Sequence, residues 1–261
     1  MLNWYRGQMK EHGWAAATGL LGRVVWTQTR ARLSNKLLPA HCECPCCGWT
    51  GRRFYDYLET GYRVPNAACP RCDSHGRHRL LYWWLTHDFP LAQQSGLGLV
   101  VAPERALAEV WRAAPRLRVL RTDLEAARNV DFCADVQHLP LPDGAFTLLW
   151  CHHVLEQVPD DNAALREFRR VLAHEGRLVI SAGLHAQPHT TEFGHSDKGL
   201  SGNRRRYGAD FAGRVRANGF QVAVGQVSLT PPERARYGIA PEESFFICDK
   251  SDLPDGLRES L

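Results

Sequence analysis

Four cysteines are spaced as two C-x-x-C pairs. Cys44 and Cys47 form the first pair, Cys69 and Cys72 form the second, and residues 48–68 separate them. Each C-x-x-C turn presents two thiolates to one ion, and two such turns complete a tetrahedral site. Because four sulfur ligands leave no position open for water, the pattern predicts a structural Zn²⁺ ion rather than a catalytic one.

An overlapping pair, Cys42 and Cys46, is an alternative choice of ligands, although Pro45 and Gly48 favour the first choice. The chain has nine cysteines, and its N-terminus carries no apolar run closed by a small-residue cleavage site. We therefore expect a cytoplasmic protein, in which clustered cysteines bind metal rather than form disulfides.

Acidic and imidazole side chains follow three predicted strands. Asp123 ends the second strand, Asp135 follows the third, and His152 and His153 follow the fourth. In a doubly wound sheet a ligand binds beyond the carboxyl ends of the strands. An acid in the position of Asp123 accepts both hydroxyls of a ribose, and one in the position of Asp135 accepts an adenine amino group.

Alternating strands and helices must position these residues. A helix is predicted from residue 161, with a face of Leu165, Phe168, Val171 and Leu172, and Gly176 is expected to end it. Residues 230–232 are expected to form a proline-rich loop. Helices of this length between strands indicate an α/β fold with a doubly wound, mostly parallel sheet. The predicted strands are 97–101, 117–120, 130–133, 146–150, 177–181, 222–227 and 244–248.

Several segments together resemble class I S-adenosylmethionine-dependent methyltransferases, at residues 135–146, 153–158, 165–172 and 175–178. More narrowly, the chain is similar to a bacterial methyltransferase type 11-like subgroup with an N-terminal four-cysteine zinc module. The segments typical of that subgroup are Ala102-Pro103-Glu104 after the first strand and Arg206-Tyr207-Gly208-Ala209-Asp210-Phe211 before a late helix. The resemblance implies a seven-stranded Rossmann-like methyltransferase fold, a zinc-ribbon-like module and S-adenosyl-L-methionine as cofactor.

The resemblance also assigns a cofactor site, with one departure from the family pattern. Most class I methyltransferases have an acid in the first strand and a glycine-rich turn after it, whereas this chain has Val100 and a turn without glycine. Glu104 is expected to take over a contact to the cofactor's ammonium group. The predicted cofactor-binding residues are Ala102, Pro103, Glu104, Asp123, Leu124, Asp135, Val136, Cys151 and His152.

Proton transfer from an acceptor suits histidine, whose unperturbed pKa lies near neutral pH. His153, His189 and Tyr207 are the predicted catalytic residues, with His153 nearest to the transferred methyl group. The segment from His185 to Arg206 is predicted to be a loop that binds the acceptor. It contains His195, Asp197 and three consecutive arginines, Arg204, Arg205 and Arg206.

The composition suggests three domains: a basic helical arm at 1–41, the zinc module at 42–75 and the methyltransferase domain at 76–261. The predicted reaction is methyl transfer to a small-molecule or sugar-containing acceptor. The alternatives are an RNA base methyltransferase that holds RNA with its zinc module, and a non-catalytic binding protein on a degenerate fold. Arginines and tryptophans in the arm allow peripheral membrane contact, but no apolar stretch is long enough to span a bilayer.

Overall fold

The computed structural model describes residues 2–59, 62–197, 202–239 and 243–250. The chain divides into two compact units, Met1–Trp83 with Leu229–Pro241, and Trp84–Ser228 with Glu242–Leu261. The predicted domain boundaries, at residues 41 and 75, stay predictions. None of the helices in the described ranges combines the length and the apolarity needed to cross a bilayer.

The helices alternate with strands along much of the chain. The helices are α1 Leu2–His12, α2 Trp14–Leu37, α3 Gly76–Trp83, α4 Ala108–Arg112, α5 Asp161–Val171, α6 Phe211–Ala217 and α7 Pro231–Tyr237. The first strands are β1 Cys42–Cys44, β2 Trp49–Gly51, β3 Tyr55–Glu59, β4 Tyr62–Ala68, β5 Gly96–Val101, β6 Leu117–Asp123 and β7 Phe132–Cys133. The later strands are β8 Phe146–His152, β9 Leu172–Ala182, β10 Thr191–Asp197, β11 Asn203–Arg206, β12 Phe220–Gly225 and β13 Ser244–Lys250.

The N-terminal unit contains two small antiparallel pairs, β1 with β2 and β3 with β4. Arg79 of α3 is fully buried and contacts β4, the segment after α7 and the ring of Phe54. Its guanidinium donates to the carbonyls of Ala67 at 3.0 Å and Gly238 at 2.7 Å, and it lies 4.0 Å above the ring of Phe54. Since a buried charge is tolerated only when its donors are satisfied, these contacts fix α3 against the segment after α7.

The expected loop at residues 230–232 is in fact the start of α7. Thr230 accepts from the amide of Glu233, and the Glu233 carboxylate accepts from the amide of Thr230, which is a capping box. Pro231 occupies the first helical turn, where its missing N–H costs nothing. The prolines therefore begin a helix rather than prevent one.

The second unit is built on one seven-stranded sheet in the order β12-β13-β9-β8-β5-β6-β7. Strands β5 to β9 pair with one another in parallel, whereas β13 pairs antiparallel with both β9 and β12. This confirms the predicted doubly wound, mostly parallel seven-stranded fold. The core contains Leu99 of β5, Leu149 of β8, Phe168 of α5 and Phe246 of β13, each at most 2% exposed.

Two local predictions in this unit were wrong. α5 ends at Val171, and Gly176 lies inside β9 rather than ending the helix. A Cβ atom at Gly176 would lie 2.7 Å from the carbonyl oxygen of Phe146, so the glycine permits the close approach of β8 to β9. The third strand, β7, is also shorter than the predicted 130–133.

A buried ionic network holds the segment after β8. Arg205 is 3% exposed and donates to the carbonyls of Val158 at 2.8 Å and Pro159 at 2.9 Å. Its Nε donates to Glu192 at 3.0 Å. The buried Asp161 accepts from Tyr207 and from Arg214, both at 2.9 Å. The network thus joins β11, α6 and the N-terminus of α5.

Arg205→Ala is expected to lower the free energy of unfolding by about 3 kcal/mol, because buried carbonyls and carboxylates lose their donor. Arg204→Ala is the matched control, and we expect a change below about 0.5 kcal/mol. Urea denaturation of the two variants and the unmodified protein measures the difference. Equal stability of all three would contradict the structural role of Arg205.

Candidate functional site

The carboxyl ends of the parallel strands bring the predicted site residues to one edge of the sheet. Val101 of β5 pairs with Thr122 of β6 and with Cys151 of β8. Asp123 pairs with Cys133 of β7, and the pairing of β8 with β9 extends to His152 and Ser181. The turns that follow these strands therefore lie side by side, as the predicted grouping of Asp123, Asp135 and His153 needs.

The turn after β5 adopts a backbone conformation that favours glycine, although no glycine is present. Ala102 has a φ of 49°, in the left-handed region that side chains other than glycine rarely adopt. Its amide donates to the carbonyl of Thr122 at 2.8 Å. The amide side chain of Asn129 donates to the carbonyl of Pro103 and so holds the turn from the neighbouring loop. The glycine-free turn thus keeps a tight backbone path.

Asp123 is the last residue of β6 and is half-buried. Its Oδ1 accepts from the backbone amide of Leu124 at 2.7 Å, and Leu124 itself is 72% exposed. Beyond β7, the exposed Asp135 accepts from the backbone amide of Gln137 at 2.9 Å and from its side-chain amide at 3.0 Å. Val136 is 6% exposed and packs in the core. Its side chain is therefore not presented at the surface, so the predicted contact of Val136 with the cofactor is left to its backbone.

The ends of β5 and β8 meet through an ion pair. Nε2 of His152 lies 3.6 Å from Oε1 of Glu104, and the His152 side chain is 3% exposed. Cys151 is fully buried in the core, and burial raises the pKa of its thiol. Only the backbone of Cys151 is thus available to a ligand, while His152 and Glu104 lie together at the edge.

His153 lies between two carboxylates. Its Nδ1 donates to Oε1 of Glu156 at 2.9 Å, and its Nε2 donates to Oε1 of Glu243 at 2.8 Å. Burial of the ring opposes protonation, but the hydrogen bonds and negative charges of Glu156 and Glu243 outweigh it and raise the pKa of His153 to about 10. An imidazole protonated at neutral pH does not accept a proton there, so the predicted role as general base does not fit this geometry.

Sequence reasoning missed both carboxylates. Glu156 is three residues after His153 and belongs to a turn, so this short spacing was a weak indication that the two side chains are in contact. Glu243 is far along the chain and precedes β13. Because β13 runs antiparallel to β9, with Ser244 opposite Ala182, its first residues lie at the carboxyl edge of the sheet. Glu243 also accepts from the hydroxyl of Ser181 at 3.2 Å.

The predicted acceptor loop is partly a two-stranded hairpin of β10 and β11, and residues 198–201 lie outside the described residues. The backbone amide of Arg204 donates to the carbonyl of Glu156 at 2.7 Å, so the hairpin lies at the carboxyl edge of β8, as the prediction required. Arg205 is buried, however, and it does not present a free guanidinium to an acceptor.

The remaining catalytic candidates have contrasting surroundings. His189 is exposed beside the hairpin, as are His185 and His195. Tyr207 is fully buried, and its hydroxyl donates to Asp161 at 2.9 Å. Because this phenol is sealed in the core with its proton held by a carboxylate, it serves the fold, and its predicted catalytic role is corrected to a structural one.

In the N-terminal unit the four predicted cysteines converge. The sulfur atoms of Cys44, Cys47, Cys69 and Cys72 all lie within 4.8 Å of one another. The Cys44–Cys72 distance is 3.7 Å and the Cys47–Cys69 distance is 3.6 Å. Two thiolates on a tetrahedral zinc ion, with Zn–S bonds of about 2.3 Å, lie about 3.8 Å apart. The cluster therefore has the spacing of a four-sulfur metal site.

The two cysteines of the overlapping alternative lie outside this converging group. The thiol of Cys42 lies 3.6 Å from the carbonyl oxygen of Arg52, and that of Cys46 lies 3.9 Å from the carbonyl oxygen of His78. Neither belongs to the group of four whose sulfur atoms converge.

Comparison with known proteins gives a family match and partial relatives. A family model described as "Methyltransferase domain" matches residues 95–180. An uncharacterized protein of Methanocaldococcus jannaschii is 44% identical over 48 residues, which are 18% of this chain and 21% of that protein. The malonyl-[acyl-carrier protein] O-methyltransferase of Laribacter hongkongensis is 33% identical over 93 residues, covering 36% of this chain and 30% of that protein. The aligned stretches thus span less than a third of either relative.

A solved structure was also found, that of the Burkholderia thailandensis 1,6-didemethyltoxoflavin-N1-methyltransferase with bound 1,6-didemethyltoxoflavin and S-adenosylhomocysteine. It is 15% identical, covers 75% of this chain and 98% of that chain, and has a TM-score of 0.48.

The matched segment runs from the start of β5 through β9, the strands whose carboxyl ends carry Asp123 and His153. The predicted resemblance to methyltransferases is thus confirmed over residues 95–180, which match the methyltransferase-domain model and lie in the seven-stranded sheet.

Proposed function

We propose that the protein transfers a methyl group from S-adenosyl-L-methionine to a small-molecule or sugar-containing acceptor. The observation that carries this proposal is the position of Asp123, an acid at the carboxyl end of β6, inside the matched segment. A ribose diol needs such an acceptor, and the amide of Leu124 already orients the carboxylate.

The neighbouring turns fit the other parts of the cofactor. Asp135, held by Gln137, is placed to accept from the adenine amino group. The tight turn at Ala102 and Pro103 exposes backbone for the methionine end, and Glu104 supplies a carboxylate for its ammonium group. Bound S-adenosylmethionine supplies an electrophilic methyl group, so this chain's task is mainly to orient the acceptor and exclude water.

His189 on the acceptor side is the exposed histidine we assign to proton transfer, since His153 is held as a cation. The hairpin of β10 and β11 lies at the same edge through the contact of Arg204 with Glu156. It therefore provides the surface on which an acceptor is placed.

We also assign the four converging cysteines to one structural Zn²⁺ ion. The supporting observation is the pair of sulfur separations, 3.6 and 3.7 Å, which suits tetrahedral thiolate ligation. The hydroxyl of Ser74 lies 3.2 Å from the sulfur atoms of both Cys44 and Cys72, and the amide of Arg71 donates to Cys69 at 3.4 Å. Such outer contacts stabilise thiolates around a metal ion.

A second candidate function, RNA base methylation, is favoured by one surface of the N-terminal unit. A groove of about 530 Å³ contains Arg23, Arg30 and Arg63, with exposed rings of Trp26 and Tyr62. The guanidinium of Arg30 lies 5.9 Å from the centre of the Trp26 ring. Arginines beside exposed aromatic rings bind phosphates and stack on unpaired bases.

Filter binding of total RNA, with and without Trp26→Ala and Arg30→Ala, tests this second candidate. RNA affinity that falls steeply with salt and is lost in the variants would favour RNA as the acceptor. Equal, negligible binding by all three proteins would leave the small-molecule acceptor.

Asp123→Ala is expected to weaken binding of S-adenosylhomocysteine ten- to a hundredfold, roughly 1.5–3 kcal/mol, because a charged hydrogen-bond acceptor is lost. Titration calorimetry measures the affinity. Glu175→Ala is the matched control, since this exposed acid lies in the first half of β9, away from the carboxyl edge.

Two outcomes would contradict this assignment. Equal affinity of Asp123→Ala and the unmodified protein would remove Asp123 from the cofactor site. If the unmodified protein binds neither S-adenosylmethionine nor its demethylated product, a non-catalytic binding protein on a degenerate fold becomes the better interpretation.

Protein purified without chelator is expected to contain one zinc ion per chain on the cysteine cluster. The Cys69→Ser, Cys72→Ser double variant should lose that zinc and melt at a lower temperature, because metal binding contributes folding free energy. Cys133→Ser, an exposed cysteine elsewhere in the chain, is the control and should keep it. Elemental analysis that finds full zinc in the double variant would refute the ligand set.

A further inference from the structure

The residues at the end of β8 form a second cluster of metal-binding side chains. A ring nitrogen of His152, a ring nitrogen of His153 and a carboxylate oxygen of Glu243 all lie within 4.8 Å of one another. These donors belong to the second unit, and none of them is part of the cysteine cluster. The contact of His153 with Glu243, at 2.8 Å, is as short as the separation of adjacent ligands around one small cation.

Two consecutive residues of a strand normally point to opposite faces of the sheet. Here the backbone of His153 has a φ of 50°, which turns it out of the strand alternation. Its amide nevertheless donates to the carbonyl of Ser181 at 3.1 Å. As a result the two imidazole rings lie together, with their centres 4.3 Å apart. A histidine rarely adopts this conformation, and residues held in such conformations cluster at functional sites.

Three carboxylate side chains lie around the two imidazole rings. The side chains of Glu156 and Glu243 are 5% and 11% exposed. Glu104, 19% exposed, approaches from the end of β5. Oε2 of Glu156 is buried and has no hydrogen-bond partner within the described residues. Buried charges of one sign are retained when they are paired or when they coordinate a metal ion.

The hydrogen bond of Glu156 to His153 has the form found around metal-bound histidines. When one ring nitrogen of a histidine binds a metal, the other usually donates to a carboxylate, which fixes the ring and its tautomer. Here Nδ1 of His153 contacts Glu156 at 2.9 Å, while Nε2 faces Glu243. Glu156 would thus orient the ligand without binding the metal.

We propose that His152, His153 and Glu243 bind one divalent first-row transition-metal ion, and that Glu156 orients His153. The ion displaces to solvent the proton that Nε2 of His153 donates to Glu243 in the metal-free protein. Two imidazoles with one carboxylate suit Mn²⁺, Fe²⁺, Co²⁺ or Zn²⁺ rather than the all-oxygen sites of Ca²⁺. Three protein ligands leave at least one coordination position open. An oxygen atom of the acceptor or a water molecule is the natural fourth ligand at this edge.

The test uses the full chain with zinc retained in its cysteine cluster. Mn²⁺ is titrated into the protein, and electron paramagnetic resonance measures the ion left free in solution. Mn²⁺ prefers carboxylate, imidazole and water to thiolates, so it reports the new site rather than the cysteines. Separate additions of Co²⁺ and Zn²⁺, followed by gel filtration and elemental analysis, give the number of ions bound per chain.

We expect one additional ion per chain in the unmodified protein, and at least tenfold weaker binding in Glu243→Gln and in His152→Gln. Glu156→Gln should weaken binding ten- to a hundredfold without removing a ligand. Glu175→Gln, an exposed acid of β9 away from the site, should bind as the unmodified protein does. Thermal melts monitor the folding of each variant, so that a loss of binding in a folded variant counts in favour of the proposal.

The proposal is overturned if the unmodified protein takes up none of the three metals beyond its cysteine-bound zinc. It is also overturned if Glu243→Gln and His152→Gln both bind Mn²⁺ with unchanged affinity. Because these measurements need neither S-adenosylmethionine nor an acceptor, their result is independent of the proposed methyl transfer.

Discussion

The parallel pairing of β5 with β6 and β8 is the constraint on which the site depends. Val101 pairs with Thr122 on one side and with Cys151 on the other, so the three strands end within one residue of the same height. Ordered backbone hydrogen bonds continue past the strands, from Ala102 to Thr122 and from His153 to Ser181. The turns that hold Glu104, Asp123 and His153 are therefore fixed by the ladder itself, and functional groups on rigid elements keep their geometry.

Charge compensation is the second constraint, and it is solved differently in two places. Around Asp161, two arginines and a phenol satisfy one buried carboxylate, so that network is closed and structural. Around His153, two carboxylates contact one imidazole ring, and Oε2 of Glu156 has no hydrogen-bond partner within the described residues. The Asp161 network stabilises the hairpin and α6. The cluster around His153 instead contains a buried carboxylate oxygen that can accept from a bound group.

Much of this could be predicted from the sequence. Cysteine spacing identified the cluster because a C-x-x-C turn is a local structure, and strand ends placed Asp123 because parallel ladders align their ends. Glu243 could not be predicted, since its place depends on β13 entering the sheet antiparallel between β9 and β12. The helix at α7 was missed because a proline pair marks a loop unless the capping box of Thr230 and Glu233 is noticed. Tyr207 was misjudged because its burial arises from long-range packing.

The fate of His153 shows why a residue's chemistry does not follow from its type alone. An unperturbed imidazole titrates near neutral pH, which made this histidine the natural candidate for a base. One carboxylate nearby in sequence and one from a distant strand turn it into a held cation. The two partners differ in how they reach the ring. Glu156 lies in the turn that follows β8, three residues after His153, whereas Glu243 precedes β13 and comes from far along the chain. Because both ring nitrogens of His153 contact carboxylates, neither nitrogen is free to accept a proton from an acceptor.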